Sequence, residues 1–176
     1  TNARCLDGSQ YFFYFRKGFD DGLSKFQIYL QGGGWCTSYK SCYDRGQPNN
    51  YLGSSLNYGP YAWYSSDYLN DNESSNPLMY NWNTVWMIYC DGSSFTGNNM
   101  SVYPYQVNSS YAQNLYFRGH ENLKQAMSVL YDQYGLDEAT DVVLSGCSAG
   151  GMAVYLNNDF IFENFVSAAA RAKFMS

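Results

Sequence analysis

Val142-Val143-Leu144-Ser145-Gly146-Cys147-Ser148-Ala149-Gly150-Gly151 runs an apolar segment straight into a Gly-x-Ser-x-Gly pentapeptide. A strand that turns sharply into a helix holds its central residue in a strained backbone geometry. Glycines two positions to either side remove the side chains that would collide there. Such a turn lifts the Ser148 hydroxyl above the end of a sheet, where a base can reach it. In a chain with 16 glycines the pentapeptide alone is a weak signal. Its flanks give it weight. Leu123, Ala126, Met127, Leu130 and Tyr131 recur at helical spacing before the strand, and residues 151–156 can start a helix after it.

Working outward, residues 11–15 and 26–30 read as strands separated by Gly18 and the Asp20-Asp21-Gly22 turn. The second strand leads directly into Gly32-Gly33-Gly34-Trp35. Residues 84–89 read as a buried strand that ends in the turn Asp91-Gly92-Ser93-Ser94, residues 120–134 as a helix and residues 141–144 as the strand before the elbow. Residues 37–77 show no sustained period, which marks a loop, lid or insertion. The stretch between the Asp91 turn and His120 reads as irregular. Strands separated by a helix, with a serine between strand and helix, predict an α/β fold with a parallel or mostly parallel sheet. On this reading the strand at residues 142–144 has no neighbour on its far side and is an unpaired apolar edge.

A serine hydroxyl is a poor nucleophile until a base removes its proton, and the tetrahedral oxyanion then needs donors. In an elbow one donor is the backbone N–H of the next residue, here Ala149. The other comes from a loop after an earlier strand, and Gly32-Gly33-Gly34-Trp35 has the composition and position for it. Cys147 sits off the apex and is expected to point into the structure. His120 is the single histidine, but it precedes Ser148, whereas the order in this architecture is serine, then acid, then histidine. His120 is therefore expected to be a structural or surface residue. Asp159 follows Ser148 by only one short helix, so it reads as a helix-end or structural carboxylate. Residues 1–176 thus contain half of a catalytic machine.

The bulk numbers set the boundaries. At 176 residues the chain is about one domain, and 45% hydrophobic residues suffice for a core. The net charge of −5 and the lack of a basic cluster exclude nucleic acid as a partner. No apolar run approaches the roughly 18 residues that cross a bilayer, so no membrane is involved. The first residue is Thr1, which reads as a processed chain or a fragment. The 5 cysteines lack paired Cys-x-x-Cys spacing and there is 1 histidine, so no metal is expected. Disulfides in an oxidising compartment fit better, and Cys36 with Cys42 can close a short loop if the backbone turns. The odd count leaves one thiol free or one partner outside the chain. Sequons at Asn72, Asn99 and Asn108 are as many as chance supplies. The 19 tyrosines suit sugar-facing surfaces but equally reflect composition bias.

Several longer blocks, in order, resemble the pectin acetylesterase/Notum family of serine carboxylesterases. They are Cys5-Leu6-Asp7-Gly8-Ser9, Gly32-Gly33-Gly34-Trp35-Cys36, Leu52-Gly53-Ser54-Ser55 and Tyr80-Asn81-Trp82-Asn83. Next come Tyr89-Cys90-Asp91-Gly92-Ser93-Ser94-Phe95-Thr96-Gly97 and Asn114-Leu115-Tyr116-Phe117-Arg118-Gly119, and last Leu144-Ser145-Gly146-Cys147-Ser148-Ala149-Gly150-Gly151. The resemblance implies an α/β-hydrolase-like fold and a Ser-Asp-His triad with Ser148 as nucleophile. It also implies an oxyanion hole from the backbone at Gly34, Trp35 and Ala149, and no cofactor. The family's Asp and His lie C-terminal of this elbow, beyond Ser176. Residues 1–176 are therefore expected to be the N-terminal part of a single esterase domain, secreted and monomeric. Plant-type members tend to carry a cysteine where Asn158 stands, and its absence puts one family disulfide in doubt. The form of the Asp91–Gly97 block and of Gly-Gly-Gly-Trp-Cys favours an acetylated polysaccharide, pectin above all, as substrate. The alternatives are a Notum-like deacylase of lipid esters on protein and a non-catalytic glycan-binding protein. Intact Ser148 and the glycine loop argue against the last.

Overall fold

The computed structural model describes residues 2–60 and 69–176. A five-stranded sheet organises them, built from β1 (Phe13–Arg16), β2 (Lys25–Leu30), β3 (Asn83–Met87), β6 (Asp141–Gly146) and β7 (Arg171–Met175) in the order β1-β3-β2-β6-β7. β3, β2, β6 and β7 are parallel, and β1 joins β3 antiparallel at one edge. The fold is α/β with a mostly parallel sheet, as the sequence predicts.

Register explains why these strands read clearly. Phe26, Ile28 and Leu30 alternate along β2, with Ile28 beside Val85 and Leu144 and Leu30 beside Met87. They form one buried cluster with Leu123, Ala126, Met127 and Leu130 of α2 (Gly119–Tyr134) and with Ala153, Val154 and Ile161 of α3 (Ala149–Phe165). Each fully buried aliphatic or aromatic side chain of this kind contributes about 1.5–3 kcal/mol. The helical period of α2 and the strand period of β2 therefore specify the same core.

Four expectations are corrected. Residues 37–77 are not wholly irregular, because Tyr39–Arg45 forms a short helix, α1. Its N-cap Ser38 and Ser41 exchange side-chain and backbone hydrogen bonds in a capping box, which satisfies otherwise orphaned donors. Residues 61–68 of that stretch lie outside the described residues. The segment before α2 contains a hairpin, β4 (Tyr103–Asn108) with β5 (Tyr111–Leu115). Tyr103 stacks on Tyr39, and Tyr105 on Tyr43, so the hairpin packs on α1. The helix after the elbow begins at Ala149, two residues before the stretch expected to start it, and runs to Phe165. The elbow strand is not an edge: β7 pairs along its far side from Asp141↔Arg171 to Ser145↔Met175. Arg171 reinforces that pairing by holding Asp141 at 2.7 Å.

Cys5 bonds to Cys90 and Cys36 to Cys42. The short loop expected between Cys36 and Cys42 is closed, and Cys147 is the free cysteine. Among the described residues no helix is long and apolar enough to cross a membrane.

Candidate active site

β2 and β6 are adjacent and parallel, with Leu30 opposite Gly146, so their C-terminal ends lie side by side. The connection from β2 goes to β3 on one side, while β6 lies on the other. The strand order reverses here, and open α/β sheets place their sites at this crevice. The glycine loop leaves β2, the elbow leaves β6, and the Ile88–Asp91 segment leaves β3 on the opposite flank.

At the elbow Ser148 has φ 58° and ψ −123°, a region that residues with a Cβ rarely adopt. Its carbonyl accepts from the Met152 N–H at 3.0 Å and the Cys147 carbonyl from Gly150 at 3.0 Å, so α3 begins immediately. Ala149 is its first residue, and its N–H belongs to the turn that has no intrahelical partner. The flanking glycines have concrete reasons. A Cβ on Gly146 would overlap the Gly150 carbonyl, and one on Gly150 would overlap the Leu30 carbonyl of β2. A Cβ on Gly32 would strike the Cys147 carbonyl and come within 3.3 Å of the Ser148 Cβ. The glycine loop and the elbow are therefore in direct contact.

Beyond Gly32 the loop takes φ +149° at Gly33 and +68° at Gly34. Among the described residues the amides of Gly34 and Trp35 meet no acceptor, while the next amide, Cys36, donates to Gly92 at 3.1 Å. The Gly33 and Gly34 carbonyls are occupied. Arg45 Nη2 donates to Gly33 at 2.7 Å, and the Tyr89 hydroxyl donates to Gly34 at 2.8 Å. The Trp35 indole N–H donates to Ser94 Oγ at 2.5 Å, which leaves the ring itself at the surface.

Ser94 and Phe95 stand behind this loop with successive positive φ values of 53° and 57°. The buried Asp91 carboxylate holds them. Its Oδ2 accepts from the Ser93 N–H at 3.0 Å, the Ser93 hydroxyl at 2.7 Å and the Phe95 N–H at 3.1 Å. Burial pushes the Asp91 carboxyl up despite those bonds. Burial likewise pushes the Tyr89 phenol up to about 12, so it remains a donor at any ordinary pH.

Ser148 is exposed and lines an open cavity of about 450 Å³ with Gly151, Met152, Tyr155, Leu156 and Ser176. Cys147 is also exposed, which corrects the expectation that it points inward. The N-terminus of α3 turns it outward beside Ser148. His120 lies elsewhere: its Nδ1 is 3.4 Å from Asn157 Oδ1 and its ring packs on Phe160 at 4.6 Å. Asn157 is nine residues beyond Ser148, about 13 Å along the helix. Asp159 is exposed within the same helix, which continues to Phe165, so it does not end a short helix as expected. Ser148 and Ala149 are thus brought against the glycine loop at Gly32, two and three residues before Gly34 and Trp35, whereas His120 lies on α2 and Asp159 farther along α3. Sequence reasoning missed Arg45, Tyr89 and Asp91 as supports. The Asp91-Gly92-Ser93-Ser94 turn and the longer block from Tyr89 to Gly97 are the visible signs of Tyr89 and Asp91, and Arg45 has none.

The family model described as Pectinacetylesterase matches residues 1–176. Pectin acetylesterase 7 of Arabidopsis thaliana is 37% identical over 99% of this chain and 41% of its own length. Palmitoleoyl-protein carboxylesterase notum1 of Xenopus laevis is 31% identical over 92% of this chain and 31% of its own. The crystal structure of the Wnt deacylase Notum from Drosophila superposes with a TM-score of 0.83 at 27% identity, over 99% of this chain and 49% of that one. The chain belongs to the pectinacetylesterase family, and its fold is that of the α/β-hydrolase-like Notum structures. It spans less than half the length of these relatives.

Proposed function

We propose that residues 1–176 are the N-terminal part of the catalytic domain of a secreted serine carboxylesterase that removes acetyl groups from pectin or a related polysaccharide. The observation that carries this reading is Ser148 at φ 58° on the crest of the elbow, in contact with a glycine loop whose Gly34 and Trp35 amides meet no acceptor among the described residues. Ser148 Oγ attacks the acyl carbon while a histidine outside residues 1–176 takes its proton. The oxyanion is received by the N–H groups of Ala149, Trp35 and Gly34. The tetrahedral species collapses, the C–O bond to the sugar breaks, and the proton passes from the histidine to the leaving hydroxyl. Water, deprotonated by the same base, then attacks the acyl-enzyme and releases acetate and the free Ser148 hydroxyl. Family membership, the similarity to Arabidopsis pectin acetylesterases and the two disulfides support the substrate class and the secreted location.

A second reading is a long-chain deacylase, favoured by the apolar side chains of Met152, Tyr155 and Leu156 beside Ser148. The experiment is acetate release from acetylated pectin, together with a series of aryl esters from acetyl to palmitoyl, by the full-length protein and its Ser148→Ala variant. Acetyl preference with complete loss in Ser148→Ala is expected. Preference for long chains would select the second reading, and Ser148-independent turnover would contradict both.

A further inference from the structure

The glycine loop has little with which to hold itself. Gly32, Gly33 and Gly34 have no side chains, and a Cβ on Gly34 would meet nothing within 4 Å. A segment of this composition has the largest backbone freedom available to a chain. An oxyanion hole requires the opposite, because its donors stabilise the transition state only when they are fixed in advance. The constraint must come from outside the loop.

The described peptide bonds are all trans. In a trans peptide the C=O and N–H lie in one plane and point in opposite directions. The Gly34 N–H shares its plane with the Gly33 carbonyl, which Arg45 holds at 2.7 Å. The Trp35 N–H shares its plane with the Gly34 carbonyl, which the Tyr89 hydroxyl holds at 2.8 Å. Each of these amides is therefore one end of a peptide gripped at its other end by a side chain.

Resting on the assignment of the Gly34 and Trp35 amides as oxyanion donors, we infer that Tyr89 and Arg45 are positioning residues of the oxyanion hole. Tyr89 aims the Trp35 amide and Arg45 aims the Gly34 amide. Neither side chain lines the cavity beside Ser148. Each acts through the carbonyl it holds.

The supports are themselves fixed. The Tyr89 hydroxyl accepts from the Ser94 N–H at 3.0 Å, which commits its single proton to Gly34. Arg45 donates through Nε to the Leu52 carbonyl at 3.0 Å, and its guanidinium lies 5.1 Å from the centroid of the Tyr89 ring. Arg45 ends α1, and the Cys36–Cys42 disulfide ties that helix to the residue after Trp35. The two grips therefore form one unit, reached from the sheet through Tyr89 and from α1 through Arg45.

The test is steady-state kinetics on an aryl acetate with the full-length protein, comparing wild type, Tyr89→Phe, Arg45→Lys, Arg45→Met and Ser148→Ala. Misaiming a donor by about 1 Å costs up to about 100-fold. Tyr89→Phe, which removes one oxygen, is therefore expected to lower kcat by about 10- to 100-fold with KM unchanged. Affinity for a trifluoromethyl ketone, which forms a tetrahedral adduct, should fall by the same factor as kcat/KM. Arg45→Met should act likewise, with Arg45→Lys recovering part of the loss. Folding is checked by the thermal midpoint, and Arg45→Met carries the test if Tyr89→Phe does not fold. If a folded variant keeps wild-type kcat and ketone affinity while Ser148→Ala is inactive, the positioning inference is overturned and the nucleophile assignment stands. A rise in KM alone overturns it as well. Wild-type turnover in Ser148→Ala would instead overturn the reading on which the inference rests.

Discussion

At the scale of single residues, Ser148 and Gly150 show how backbone geometry and chemistry constrain each other. Ser148 keeps φ 58° because its neighbours leave no other path from β6 into α3. Gly150 packs so closely on β2 that an alanine there would overlap the Leu30 carbonyl. Backbone cannot yield as a flexible side chain can, so Gly150→Ala is expected to cost at least about 1–3 kcal/mol of stability. It should also separate the elbow from the glycine loop, and activity should fall further than the loss of folded protein explains. Denaturant midpoints measured beside kcat check this. A variant with wild-type stability would mean that the elbow does not press on β2 in this way.

At the scale of elements, legibility follows the range of the interactions that form each one. β2, β3, β6 and α2 were readable because Phe26, Ile28, Leu30, Val85, Leu144 and Leu123 repeat at the period of their element. α1 was missed because Tyr39–Arg45 is only 7 residues long, and its determinants are the Ser38 cap and a disulfide rather than an apolar face. β4 and β5 were missed because β4 turns Tyr103 and Tyr105 onto α1 on either side of Pro104, while β5 turns only Gln113 and Leu115 inward. β7 carries Arg171 and Lys173 among apolar residues, and only its pairing with β6 makes it a strand. The same rule divides the site. Ser148 and the glycine loop lie in local motifs, whereas Arg45 and Tyr89 act on backbone carbonyls 12 and 55 positions away.

The β6–β7 pairing also yields a pH prediction. Asp141 accepts from Arg171 Nη2 at 3.0 Å, and this bond holds its carboxyl below the usual carboxylate range. A depressed folded value adds stability that is fully present above the ordinary carboxylate pKa and lost as pH falls through the folded one. Asp141→Asn should therefore be less stable than wild type at pH 7, with the difference shrinking below about pH 4. Thermal midpoints at both pH values test it. A gap that widened in acid would contradict the assignment.

At the scale of the whole molecule, two covalent links constrain very different lengths of chain. Cys5–Cys90 spans a sequence separation of 85 and Cys36–Cys42 one of 6. Loop-closure entropy gives the first about 4.5 kcal/mol and the second about 2 kcal/mol. Replacing Cys5 and Cys90 by serine should lower the thermal midpoint more than replacing Cys36 and Cys42. The Cys36–Cys42 pair should instead affect kcat more, since it adjoins Trp35. Equal effects on both readouts would argue against separate structural and positioning roles. Charge and shape complete the picture. For the proposed acidic polysaccharide a net charge of −5 gives no long-range attraction, so the proposal assigns contact to neutral and aromatic surface such as exposed Trp35 and Tyr155.

The central claim, that Ser148 is the nucleophile, is tested most directly by trapping it. The full-length protein is treated with an aryl phosphonate, whose phosphorus is attacked by an activated serine oxygen with loss of the aryloxide. The modified residue is then located by peptide fragmentation, which separates Ser148 from the adjacent free Cys147. The account predicts one adduct per molecule, on Ser148 Oγ, forming in step with the loss of ester hydrolysis and absent in Ser148→Ala. An adduct on any other residue that tracks inactivation, or inactivation with Ser148 unmodified, would contradict it.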